Sequence, residues 1–198
     1  MKILFLGSKK HLICKEVLKF LKKKKFKVFS FLRPLTKKDE ISLSKKKFDY
    51  LISFLYTKII PNQILKNTNI YNVNFHPGPP KYPGYGCYNY ALLNEDKNYA
   101  CTVHLMNSQF DNGKIIDVES FPITKKLTLE NLIKKTHKRL FFLLKKNLKK
   151  GFKTSANNYK WSKKYNTREE FEKKREVKPN ISLINLKKKL RAFQYKDY

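Results

Sequence analysis

The sequence is short of several residue types, and each shortage excludes a class of protein. Its 198 residues include three cysteines, Cys14, Cys87 and Cys101, without CxxC spacing, which argues against a disulfide framework or a zinc site. The cysteine pattern leads us to expect no metal, and no apolar run approaches the roughly 18 residues of a membrane-spanning helix, so we expect no membrane partner. The first apolar segment, residues 2–6, is too short for a secretory signal, and we therefore expect a cytoplasmic protein.

Acidic residues are also scarce, since 15 Asp and Glu face 45 Lys and Arg and the formal charge is +30. Such a charge favours a polyanionic partner such as nucleic acid. Only five of the 45 basic residues are Arg, however, although the planar guanidinium of Arg binds phosphate through two hydrogen bonds and suits such a partner better than Lys. Residues with A/T-rich codons (Lys, Asn, Ile, Phe and Tyr) are abundant, whereas Ala occurs four times. Codon bias therefore explains the lysines better than nucleic-acid binding, which stays open as the alternative.

The apolar pattern predicts an α/β chain. Buried strands are predicted at 2–6, 27–31, 50–55, 70–75, 100–106 and 114–123, helices at 11–21, 87–93 and 128–150, and short helical segments at 36–47 and 61–65. The first strand, helix and strand form a βαβ unit, which implies parallel pairing with a right-handed crossover. We expect a catalytic domain at 1–150 and a mainly helical extension at 151–198, with helices starting near Thr167 and Ser182.

Three polar residues are expected beyond the carboxyl ends of strands, where open α/β sheets bind ligands. Asn74 and His76 end one strand and point to the same side, and Asp111 lies in the turn between two others. A neutral His carries protons near pH 7, a neighbouring Asp orients it, and an Asn amide donates to a developing oxyanion. These are the parts of an acyl transfer that uses no nucleophile of the enzyme. Taken singly, each residue is weak support, since a lone His or Asp is more often structural.

The motifs taken together resemble the formyltetrahydrofolate-dependent formyltransferase family. The matching pieces are Asn74-Phe75-His76-Pro77-Gly78, Tyr82-Pro83-Gly84, Ala91-Leu92-Leu93-Asn94-Glu95, Thr102-Val103-His104-Leu105-Met106 and Phe110-Asp111-Asn112-Gly113-Lys114-Ile115-Ile116. The resemblance covers residues 1–150. It implies a Rossmann-like, mostly parallel twisted sheet flanked by helices, with a short helical C-terminal extension.

The resemblance also implies roles for individual residues. His76 would manage the proton of the attacking amine, Asn74 would hold the formyl oxygen, and Asp111 would orient His76. The co-substrate would be N10-formyltetrahydrofolate, with its pterin against a second set of residues: Ile59, Ile60, Met106, Asn107 and Phe110. Candidate contacts to the acceptor are Lys9, Lys81, Tyr82 and Tyr85, although solvation explains the lysines better and loop packing explains the tyrosines equally well.

The acceptor is the open question. The loop after the first strand has one glycine, Gly7, which disfavours a glycinamide ribonucleotide acceptor, and the 48 residues after 150 are too few for the barrel of methionyl-tRNA formyltransferases. The loop at 76–87 and the tail around Trp161 are similar to nucleotide-sugar N-formyltransferases of surface-polysaccharide pathways. We therefore expect a nucleotide-linked amino sugar as acceptor. A methionyl-tRNA formyltransferase, a formyltetrahydrofolate hydrolase and a basic nucleic-acid-binding module are the alternatives, and the C-terminal helices could serve a homodimer.

Overall fold

A six-stranded sheet forms the centre of the protein, with strand order β2-β1-β3-β4-β5-β6. The computed structural model describes residues 1–107, 109–153 and 158–195. The strands are β1 (Lys2–Leu6), β2 (Lys27–Phe31), β3 (Phe48–Phe54), β4 (Thr68–His76), β5 (Asn98–Leu105) and β6 (Ile115–Pro122). Strands β1 to β4 pair in parallel, and β5 and β6 are added antiparallel. The predicted α/β class and the predominantly parallel sheet are confirmed.

Helices cover both faces of this sheet. They are α1 (Leu12–Lys23), α2 (Lys37–Ser44), α3 (Asn62–Leu65), α4 (Cys87–Leu93), α5 (Leu129–Lys149), α6 (Arg168–Arg175) and α7 (Leu183–Phe193). The predicted caps are present, since the side chains of Thr128, Thr167 and Ser182 each accept a hydrogen bond from the backbone N–H three residues on. None of the helices in the described ranges is long and apolar enough to cross a membrane.

Strand β1 shows how the core is divided, because its side chains alternate between two apolar clusters. Ile3 and Phe5 face the larger cluster with α1, α4, α5 and α7, whereas Leu4 and Leu6 face the smaller cluster with α2 and α3. All four side chains are fully buried. A strand covered on both faces reads as a continuous apolar run, which is why the sequence signal for β1 is so strong.

The residues that follow α5 pack back onto the sheet. The fully buried Phe152 lies against Tyr50 and Phe75, with ring centroids 5.4 and 6.3 Å away. At the other end of the extension, the Asn89 side-chain amide donates to the Ala192 carbonyl over 2.7 Å, and Ala192 is fully buried. The described part of the extension contains the helices α6 and α7 and shares the core of the sheet.

Candidate active site

The three residues predicted to act together meet at the carboxyl end of β4. His76 Nδ1 lies 3.2 Å from Asp111 Oδ2, and the Asn74 amide donates to Asp111 Oδ1 over 3.4 Å. Asn74 and His76 reach this point because they alternate on β4 with the apolar Phe75, which turns into the core. Asp111 arrives from the loop between β5 and β6, and the pairing of these strands carries it back to the end of β4.

A second histidine, His104, completes the cluster and was not among the predicted site residues. It pairs directly with Asn74 across the β4–β5 ladder. Its Nε2 lies 3.1 Å from Asn74 Nδ2 and 3.4 Å from Asp111 Oδ1, while its Nδ1 lies 2.8 Å from the Leu105 carbonyl. A carbonyl only accepts, so Nδ1 carries the proton and Nε2 of the neutral ring accepts from Asn74. The sequence signal was a polar residue in an apolar strand, but only the strand register shows that His104 faces Asn74.

Asp111 is held as a carboxylate at the centre of the site. Burial raises the pKa of Asp111, but the charge of His76 and the hydrogen bond from His76, together with the neighbouring ring of His104, outweigh this, and the net pKa lies well below its usual range. The Gly84 backbone N–H adds a further bond to Oδ2 over 3.0 Å. Asp111 has a φ of 42°, a left-handed conformation that costs on the order of 1–3 kcal/mol in a non-glycine residue. Backbone strain at a residue this well held is typical of a functional position.

The other ring nitrogen of His76, Nε2, is available to interact with a reacting group. Since Nδ1 faces the Asp111 carboxylate, Nε2 carries the lone pair, and it is buried without a hydrogen-bond partner among the described residues. The backbone of Gly78 comes so close that a Cβ there would lie 2.7 Å from this nitrogen. His76 is 4% exposed. This is the arrangement of a general base whose basic nitrogen faces a confined space.

Trp161, which belongs to the C-terminal part of the sequence, packs against His76 and His104. Its ring centroid lies 5.6 Å from that of His76 and 5.0 Å from that of His104, both in edge-to-face geometry. Its indole N–H donates to the Gly113 carbonyl over 2.7 Å. In the sequence, Trp161 stands out only as part of the tail that resembles nucleotide-sugar N-formyltransferases. No local pattern predicts its contact with His104 and His76, which precede it by 57 and 85 residues.

The residues predicted to bind the co-substrate differ in their surroundings. Ile60 and Met106 pack in that cluster, while Ile59 and Phe110 are exposed by 68% and 48%. Met106 and Asn107 also line an open groove of about 330 Å³, with Asn62, Leu65, Lys66 and Asn72. The groove is close to the cluster of Asn74, His76 and Asp111, because Asn72 precedes Asn74 by two residues on β4.

The residues predicted to bind the acceptor divide into two pairs. Lys81 Nζ and Tyr82 Oη lie 2.8 and 2.7 Å from the two carboxylate oxygens of Asp96, and Tyr82 is buried. Lys9 and Tyr85 are exposed. The structure therefore leaves Lys9 and Tyr85 accessible to a ligand, whereas Lys81 and Tyr82 already interact with the protein. Among the described residues, no group of three or more His, Cys, Asp or Glu is arranged to hold a metal ion.

The fold and this cluster together define a class: an α/β protein with histidine, aspartate and asparagine side chains gathered at the carboxyl edge of its sheet. The sequence model of the formyl transferase family matches residues 34–143, more than half of the sequence. The chain belongs to the formyl transferase family.

Individual relatives support this assignment. The chain is 35% identical over 116 residues to the bifunctional polymyxin resistance protein ArnA of Wigglesworthia glossinidia brevipalpis, covering 58% of this chain and 18% of that protein. It is 30% identical over 116 residues to the methionyl-tRNA formyltransferase of Helicobacter pylori (strain P12), covering 58% of this chain and 38% of that one. The matched part thus spans less than half the length of these curated relatives.

Solved structures match the fold over the whole chain. A sugar N-formyltransferase from Shewanella sp FDAARGOS_354 superposes with a TM-score of 0.80 at 19% identity, covering 100% of this chain and 90% of that one. An N-formyltransferase from Helicobacter canadensis, in complex with folinic acid and dTDP-3-aminofucose, gives a TM-score of 0.75 at 20% identity and covers 100% and 81%. At these identities the likeness establishes the fold, which is the formyltransferase fold expected from the sequence.

Proposed function

We propose that the protein transfers a formyl group from N10-formyltetrahydrofolate to the amino group of a nucleotide-linked amino sugar. The observation that carries this proposal is the meeting of Asn74, His76 and Asp111, with His76 Nε2 buried and unpartnered among the described residues. The reaction needs one proton carrier and one oxyanion donor and no nucleophile of the enzyme, and this cluster offers both.

The proposed reaction begins with the acceptor amine attacking the formyl carbon on N10. His76 Nε2 takes a proton from the amine as the new C–N bond forms, and His76 returns a proton to N10 as the C–N10 bond breaks. The products are the N-formyl acceptor and tetrahydrofolate. Asp111 stays ionised throughout, since its pKa is well below the usual range, and so stabilises the imidazolium that forms in between.

Asn74 is the proposed donor to the formyl oxygen as that oxygen becomes an oxyanion. In the structure its amide nitrogen faces both His104 Nε2 at 3.1 Å and Asp111 Oδ1 at 3.4 Å. The contact with Asp111 is the longer one and is the one that an incoming oxyanion would replace. His104 keeps the other amide hydrogen and thereby fixes the orientation of the side chain.

Two features favour a folate donor. The groove at Met106 and Asn107 lies beside the cluster, and exposed Ile59 and Phe110 offer apolar surface for a pterin. Family membership and structural relatives whose names include tetrahydrofolic acid, folinic acid or 5-N-formyl-THF support the same donor.

Support for a sugar acceptor comes from the structural relatives. The sugar N-formyltransferases match the whole chain, including residues 151–198, and cover 81–90% of their own length. A nucleotide-sugar acceptor accounts for this full-length likeness, and Lys9 and Tyr85 are the exposed candidates to contact it.

The test is a product assay. The protein is incubated with N10-formyltetrahydrofolate and, separately, a series of dTDP- and GDP-linked 3-amino and 4-amino sugars, glycinamide ribonucleotide, charged initiator tRNA and water alone, and products are identified by mass spectrometry. We expect one N-formylated nucleotide sugar, formed together with tetrahydrofolate. Formate alone would indicate hydrolysis, and an unchanged co-substrate across the series would refute formyl transfer.

Methionyl-tRNA is the second candidate acceptor, favoured by the curated methionyl-tRNA formyltransferase relatives and by the charge of +30. It predicts selective binding of initiator tRNA that survives salt. Binding by bare charge instead weakens steeply with salt, about 10³–10⁵-fold between 50 and 200 mM for six to ten phosphate contacts. A gel shift across that salt range separates the two.

A further inference from the structure

The segment at residues 158–167, here called the strap, is tied to the loop that follows His76. Three backbone hydrogen bonds join them: Ser162 N to Pro80 O at 2.9 Å, Asn166 N to Pro83 O at 3.0 Å and Tyr85 N to Asn166 O at 2.8 Å. Gly84 and Asn166 also form a parallel bridge. A Cβ on Gly84 would lie 2.4 Å from the Asn166 carbonyl, so this close approach needs glycine. The strap is thus fixed to the loop by its backbone.

This attachment places Trp161 at the active site. Its ring meets both His76 and His104 edge to face, and its N–H is fixed by the Gly113 carbonyl. Gly113 itself follows Asp111 by two residues and packs so closely on Leu105 that any Cβ would overlap the Leu105 carbonyl oxygen. The indole is therefore anchored at one end by closely packed backbone and presents its ring to two imidazoles.

We propose that Trp161 is a positioning residue of the site: it fixes the two histidine rings against Asp111 and excludes water from the His76–Asp111 pair. The proposal rests on the formyl transfer proposed above for its kinetic consequences, but not for the contact itself. A ring that is free to turn loses the orientation that its general-base role needs. Water at the pair would weaken the attraction between imidazolium and carboxylate, because that attraction grows as the local dielectric falls.

The same contact gives the strap a function in the reaction. Because Trp161 belongs to residues 151–198, the extension completes the active site as well as contributing to the core. The formyl transfer site is then assembled from two parts of the chain, and loss of the strap would impair turnover before it abolished folding of the sheet.

The kinetic test uses three substitutions at one position. For Trp161→Ala we expect kcat to fall about 10- to 100-fold, the size of effect that small misplacements of catalytic groups produce. KM for the folate should change less than about threefold, since the contact is to the reacting groups. Trp161→Phe, which keeps a ring against the histidines, should retain most of kcat, whereas Trp161→Leu should not.

Phe142→Ala is the matched control, since Phe142 is an exposed aromatic residue of α5. It should leave kcat and KM for the folate unchanged. Wild-type kcat in Trp161→Ala would overturn the proposal. If Trp161→Ala does not fold, as circular dichroism would show, the comparison of Phe with Leu decides: equal rates in the two would show that the ring contact is not needed.

A spectroscopic test stands apart from activity. Trp161 is the single tryptophan of the chain, so its fluorescence reports this site alone. Both imidazoles lie edge to face with the indole, so at a fixed pH the emission should change in His76→Asn and in His104→Asn, and change most when both are combined. An emission that ignores both substitutions would overturn the contact, whereas these emission changes in a protein that formylates nothing would refute the proposed function only.

Discussion

At the scale of single residues, Asp111 is the centre of the site. Its carboxylate lies next to the imidazoles of His76 and His104, the amide of Asn74 and the backbone N–H of Gly84. The neighbours outweigh the burial of its charge and keep its pKa low. Its left-handed backbone conformation is strained, and the contacts of the carboxylate offset this strain. The proposed chemistry therefore depends on the charge of Asp111 as well as on its shape.

Asp111→Asn tests that dependence. The amide keeps the shape of the side chain but removes the charge that stabilises the imidazolium of His76, so kcat should fall by about 10²-fold or more. Steady-state kinetics at pH 7 measure this. A kcat within a few-fold of wild type would show that Asp111 is only a turn residue, which was the plainer interpretation of the sequence.

Gly78→Ala tests the space beside His76 Nε2. The added methyl group would lie 2.7 Å from this nitrogen and 2.7 Å from Cys87 Cβ, so we expect loss of most turnover together with a lower melting temperature. Gly151→Ala is the control for the backbone, since its φ is 63° and nothing lies within 4 Å of the new Cβ. That variant should lose about 1 kcal/mol of stability and no activity. Full activity in Gly78→Ala would contradict the role given to Nε2.

How far the sequence predicts the site follows from the distances along the chain. Asn74 and His76 were predictable because strand alternation places them together, and Asp111 because a turn signal follows a strand. His104 enters through strand register and Trp161 through contacts of residues far apart in sequence. Neither arrangement leaves a periodic signal, so neither residue was among the predicted site residues.

At the scale of elements, apolar periodicity predicted each strand and the main helices within a few residues, because both faces of the central strands are buried. Strand direction is a different matter. The βαβ spacing indicates parallel pairing for β1 and β2, but β5 and β6 run antiparallel to their neighbours. That reversal matters for the site, since it sets His104 opposite Asn74 and returns Asp111 to the end of β4.

Phe152→Ala tests how firmly the extension is joined to the sheet. Phe152 is fully buried against Tyr50 and Phe75, so its truncation should cost about 3–5 kcal/mol through lost burial and a cavity. Urea unfolding measures the change. Phe142→Ala, an exposed truncation on α5, should stay within about 0.5 kcal/mol. A loss below about 1 kcal/mol in Phe152→Ala would mean that the segment after α5 contributes little to the core.

For the whole molecule, a pair of histidines between α1 and α5 links stability to pH. The rings of His11 and His137 lie 5.1 Å apart, centroid to centroid. Burial, and then the charge of His11, lowers the pKa of His137 to about 4 from 6.5. Burial and Lys10 also lower the pKa of His11. Between about pH 6.5 and 4 the unfolded chain therefore binds a proton at His137 that the folded chain does not, so stability falls as the pH drops through this window.

His137→Gln should remove this part of the pH dependence. The free energy of unfolding of the wild type should lose up to about 3 kcal/mol from His137 between pH 7.5 and 4.5, because each pKa unit corresponds to 1.36 kcal/mol. The variant lacks the contribution of His137 to the pH dependence but keeps the contributions of all other groups. The difference in the free energy of unfolding between the two proteins therefore isolates the effect of His137. Urea titrations at both pH values provide the measurement, and equal losses in the two proteins would contradict it.

The central claim is that the Asn74–His76–Asp111 cluster transfers a formyl group to an amine. Its most direct test is the turnover of N10-formyltetrahydrofolate by wild type and by His76→Asn, with amino-sugar nucleotides as acceptors and mass spectrometry as readout. The account predicts an N-formylated nucleotide sugar from the wild type, and a rate about 10²- to 10⁴-fold lower in a variant that melts at the same temperature. A variant as active as the wild type, or a wild type that binds no folate and formylates nothing, would contradict it.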